Sequence, residues 1–166
     1  MAKLPRQNTA DGVIDLGPAE LLRSRGFHRS GRTFHRRRSE FVDSVFFQTF
    51  RGAPFSFCVD LSLILPYHHE MARGLSLPRV PNVLNTTCLF NKRMVFPTDH
   101  GEDHWLVITP ERSASSVSAV VQEYLPQALQ LFDSFTSVDH LIAVLNTGDS
   151  DLFEGSHEVD LAVLLY

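Results

Sequence analysis

Cysteine is almost missing from this 166-residue chain. Only Cys58 and Cys88 occur, both inside apolar alternating segments, so count alone excludes a disulfide scaffold and a four-cysteine zinc site. Two reduced, half-buried thiols are expected instead. The chain has no stretch approaching the roughly 18 apolar residues of a membrane helix, and Met1 to Asn8 lacks the apolar run of a secretory signal. A soluble cytoplasmic protein with no membrane association is the expectation. Gly-x-Gly-x-x-Gly and Gly-x-x-x-x-Gly-Lys-Ser/Thr are both absent, which argues against the commonest nucleotide-dependent mechanisms, and no Gly-x-Ser-x-Gly elbow presents a serine nucleophile.

Positive charge is missing from one end. Residues 99–166 hold Arg112 as their single basic residue against twelve acids, a net −11, whereas residues 1–98 hold fourteen basic groups and seven acids, a net +7. Two readings follow: a basic surface aimed at an acidic partner, or a basic sheet covered by the chain's own acidic helices. With 43% hydrophobic and 20% charged residues, the composition fits one globular domain over residues 1–166, with residues 1–16 as a flexible N-terminal arm.

Gly17-Pro18 opens and Gly26 closes a short helix, with proline at its first position and glycine just past its last. Phe27 and Phe34 flank the turn dipeptide Ser30-Gly31, so residues 27–37 read as a hairpin. Glu40 to Phe50 reads as a strand with aromatics on both alternations, and Arg51-Gly52-Ala53-Pro54 turns the chain back. Phe55, Phe57, Val59, Leu61, Leu63 and Leu65 then alternate with Ser56, Cys58, Asp60 and Ser62, which predicts a strand with one buried and one wetter face. From Pro66 to Asn82 the pattern breaks into a long loop, and Leu84 to Phe90 and His104 to Thr109 read as two further strands.

Helices follow. Thr109-Pro110-Glu111 is a helix start, Val117 to Phe132 recur at helical spacing, and Pro126 is expected to kink or divide this helix. Ser137 can cap another helix, and Ser156 a last one whose residues Val159 to Leu165 are almost wholly apolar and must be buried or paired, as in a homodimer contact. The order predicts α+β: an antiparallel sheet of about five or six strands with helices packed mainly on one face.

Leu22-Arg23-Ser24-Arg25-Gly26-Phe27, then Gly31-Arg32-Thr33-Phe34-His35-Arg36, a strand reaching Phe47-Gln48, Trp105 and Leu125-Pro126 together resemble a bacterial domain-of-unknown-function family numbered 4304. The resemblance covers most of residues 18–146. It implies a compact α+β domain of bacterial origin and carries no catalytic residues. Small orphan domains of this kind often accompany toxin systems as immunity proteins, an analogy at the level of fold.

Three sites compete. Seven arginines lie between Arg23 and Arg38, and of these Arg29, Arg32, Arg36, Arg37 and Arg38 form the expected partner-binding surface. Interleaved with Phe27, His28, Phe34 and His35, they suit phosphates and stacked bases, although a pI near 6.0 weakens a nucleic-acid reading. His100 and His104, with Asp99, Glu102 and Asp103, offer metal or proton-transfer chemistry to which His68, His69 and Glu70 can add, which would make a metal-dependent hydrolase. Cys58 beside Asp60 is a conceivable nucleophile. The reading adopted is a non-catalytic domain with no cofactor that binds one protein partner, in concrete form an immunity protein neutralising a toxin.

Overall fold

The computed structural model describes residues 9–50, 53–98 and 101–146. In chain order the elements are α1 (Ala10–Asp15), α2 (Pro18–Ser24), β1 (His28–Ser30), β2 (Thr33–Arg38), β3 (Phe41–Phe50), β4 (Ala53–Ile64), α3 (Pro66–Arg73), β5 (Phe90–Arg93), β6 (Phe96–Thr98), β7 (Gly101–Asp103), β8 (Leu106–Val107), α4 (Ala114–Ser134) and α5 (Val138–Asn146). Six strands make an antiparallel sheet ordered β1-β2-β3-β4-β5, with β8 also on β4, while β6 and β7 form a separate pair. The chain is therefore α+β.

Strand register sorts the side chains onto two faces. Phe34, Phe47 and Phe57 stand on one face of β2, β3 and β4, fully buried, with ring centroids 5.9 and 6.0 Å apart. That face meets Val13 and Ile14 of α1, Leu22 of α2, the α4 stripe and Leu141 of α5 in one core. The opposite face mixes polar and apolar side chains, with Val42 and Ile64 buried on it. Ser44, Cys58, Asp60 and Ser62 stand there and all are buried; the segment from Pro81 to Cys88 lies over the Ser44 end, where Ser44 donates to the Pro81 carbonyl at 2.8 Å and Asn82 reaches Thr33, while Arg93 pairs with Asp60. Cys58 is thus completely covered rather than half wet.

Several sequence expectations need correction. The arm expected over residues 1–16 contains α1, capped by Thr9, with Ala10, Val13 and Ile14 wholly buried. The loop expected after Pro66 begins with α3: Pro66 is a good first helical residue and Gly74 ends the helix at φ 64°. Leu84 to Leu89 is not a strand, because the Asn82 side chain accepts from the Leu84 N–H at 2.9 Å and its carbonyl from Asn85 and Thr86, closing a local turn. The pairing begins only at Phe90.

α4 starts later than Thr109, at the Ser113 cap, and runs unbroken through Pro126. Val117, Val121, Leu125, Leu129 and Phe132 are all buried along it, and at ~1.5–3 kcal/mol per buried side chain their sum exceeds the ~3 kcal/mol that an internal proline costs. The apolar segment Val159 to Leu165 and the last predicted helix lie outside the described residues. Among the described residues no helix is long and apolar enough to cross a membrane.

Candidate functional site

The sheet places the hairpin arginines on different faces, and this decides their environments. Arg29 pairs in register with Phe34, and Arg36 and Arg38 follow Phe34 at every second position, so all three stand on the helix-covered face. There each meets an acid. Asp43, completely buried on β3, accepts from Arg36 Nε at 2.9 Å and from Arg38 Nε and Nη2 at 2.7 and 2.8 Å. Arg36 continues to Asp133 on α4, and Arg38 to the Phe135 carbonyl at 2.9 Å. Arg29 is paired with Asp15, and Arg32 grips both carboxylate oxygens of Asp11 at 2.8 Å while donating to Thr49 at 2.7 Å. Arg36 also lies 4.8 Å over the Phe27 ring, which adds a cation–π contact at a partly desolvated position.

Four of the five expected partner-binding arginines are therefore bonded to carboxylates of their own chain. Arg37, on the other face of β2, is exposed and makes no ion pair among the described residues. The partners were hard to anticipate. Asp11, Asp15 and Asp43 come from the basic part of the sequence, and Asp133 alone represents the acidic part.

Beside Arg37 stand His28 and His35, directly opposite each other across β1 and β2, with ring centroids 6.3 Å apart. Burial, then the charges of His28 and Arg37, push the His35 imidazole below its ordinary 6.5, and its Nδ1 is buried with no partner among the described residues.

On β4, Asp60 is completely buried and accepts from Arg93 Nε at 2.8 Å; Arg93 reaches Gln48 as well and lies 5.5 Å over the Trp105 ring. Cys58 Sγ points to Asp60 Oδ2 at 3.8 Å. Burial and the neighbouring Asp60 charge push this thiol up to about 12, which favours the protonated form at neutral pH. Burial also raises the Cys88 thiol.

Among the described residues no three His, Cys, Asp or Glu side chains are grouped so that they could hold a metal ion. His100 and Asp99 lie outside the described residues. His104 is exposed, with Nδ1 3.2 Å from the Met94 carbonyl, and Asp103 accepts from the Trp105 N–H at 3.0 Å. His68 and His69 are buried in α3, where His69 Nδ1 accepts from the Thr87 N–H at 3.0 Å.

Burying those two histidines turns other α3 residues outward. Tyr67 and Met71, one helical turn apart, are 52% and 49% exposed, and Leu75 just beyond the Gly74 cap is 67% exposed. Tyr67 and Met71 thus share an outward face of α3 that sequence reading missed. The signal was present in Pro66 and Gly74, which bracket the helix and set the Tyr67 to Met71 spacing.

A family model described as a domain of unknown function, DUF4304, covers residues 18–133, more than half of the chain. No curated protein and no solved structure matches.

Proposed function

The chain belongs to the DUF4304 family, and from that premise we propose that it is a non-catalytic domain that binds one protein partner. In its concrete form it is a bacterial cytoplasmic immunity protein that neutralises a toxin or effector by direct binding. The observation that carries this reading is the exposure of Tyr67 and Met71, one turn apart on α3, with Leu75 exposed just beyond its cap. Tyrosine and methionine are enriched at protein interfaces, and a rigid helix presents them at little ordering cost. Arg37 is the hairpin arginine best placed to add a steering charge.

The alternatives draw less support from the geometry. A nucleic-acid surface built on the hairpin would have to take Arg29, Arg32, Arg36 and Arg38 away from Asp15, Asp11, Asp43 and Asp133. A hydrolase needs a ligand set that His104 does not complete with its described neighbours. Affinity capture of the tagged chain from lysate of its native organism, at low and high salt, tests the reading. One stoichiometric protein retained at high salt supports it, and nucleic acid released by salt would replace it with the hairpin reading.

A further inference from the structure

Lys92 occupies an unusual position. It is the cross-strand partner of Leu61, so its side chain leaves β5 on the helix-facing side of the sheet, where Phe90 two residues earlier is buried in the core. Beyond Phe90 the cover is incomplete. α4 presents Tyr124, Ala128 and Leu131 at helical spacing, all partly buried, and between them and β5 lies a cleft of ≈350 Å³ floored by Leu61 and Met94. That volume is at the small end of ligand sites, which run from roughly 300 to 1,000 Å³.

Charge chooses the occupant. The exposed Lys92 ammonium makes no ion pair among the described residues, and the neighbouring Arg93 is turned to Asp60. A neutral hydrocarbon would gain nothing from the ammonium at the rim, and a cation would be repelled by it. An apolar chain ending in an anion satisfies both the floor and the rim. Tyr124, whose ring meets Phe96 edge-on with centroids 6.4 Å apart, lines the same cleft.

We propose that the cleft between β5 and α4 is a binding site for small amphipathic carboxylates, with the alkyl chain on the Leu61 and Met94 floor and the carboxylate at Lys92. The site is separate from the α3 surface, so either proposal can fail without the other.

The probes are octanoate and 1-octanol, titrated into the whole chain and followed by backbone amide chemical shifts. Saturable shifts are expected at Met94, Tyr124 and Ala128, with octanoate binding roughly five- to tenfold more tightly than octanol. Lys92→Gln should bring octanoate down to the octanol level, and Ala128→Trp should abolish both while the unfolding midpoint is retained. Should the tryptophan variant fail to fold, the exposed Lys92→Gln change decides alone. Shifts centred elsewhere, equal binding of the two probes, or octanoate affinity unchanged in Lys92→Gln would overturn the proposal.

Discussion

Arg36 donates to Asp133 at 2.8 Å across 97 positions of sequence, fastening the first hairpin to the last turn of α4. The same guanidinium shares Asp43 with Arg38, so one buried carboxylate holds two strands and, through Arg36, a helix.

Removing that carboxylate charge leaves two partly buried guanidinium groups without their common partner. Asp43→Asn should therefore cost about 3 kcal/mol of unfolding free energy, whereas Asp133→Asn, at a half-exposed position, should cost no more than about 1 kcal/mol. Urea unfolding of the two variants makes the comparison; equal losses would show that Asp43 is not the keystone of the network.

The Cys58 thiol, pushed up to about 12 and completely covered, should resist a thiol reagent at pH 8 in the folded chain. Cys88, only partly buried, should be modified first, and both should react once the chain is unfolded. Mass spectrometry after timed labelling reads the order directly, and rapid modification of Cys58 in the native state would contradict the burial described.

His35 gives the fold a pH dependence of defined sign. Its folded imidazole binds a proton less readily than the unfolded one at 6.5, so below that pH the unfolded chain holds more protons and stability falls with falling pH. The loss should level off once the folded imidazole is protonated as well. His35→Gln should flatten this part of the profile, and Arg37→Gln should raise the His35 titration midpoint in an imidazole NMR titration by removing a nearby positive charge.

The sequence was most legible where local chemistry and tertiary packing agree. Ser30-Gly31 announces the β1 to β2 turn, with Gly31 at φ 60°, and the period of two from Phe55 to Leu65 announces β4. It was least legible where a distant partner overrides a local signal. Pro126 reads as a kink or a division, and of the two the division does not occur, because the buried stripe of α4 carries the helix through it. Asp11 and Ile14 read as part of a mobile arm, yet Arg32 clamps the first and the core encloses the second. The five arginines look alike in sequence, and strand parity alone separates Arg37 from Arg36 and Arg38. Such parity depends on register, which composition does not contain.

The central claim is that α3 presents a protein-binding surface. Its most direct test is affinity capture with the tagged wild type beside Tyr67→Ala/Met71→Ala and Arg37→Glu, after circular dichroism has shown that all three are folded. The wild type should capture one stoichiometric protein, the α3 double variant should lose it by at least tenfold, and Arg37→Glu should show at most a salt-dependent weakening. Undiminished capture by the α3 double variant would contradict it.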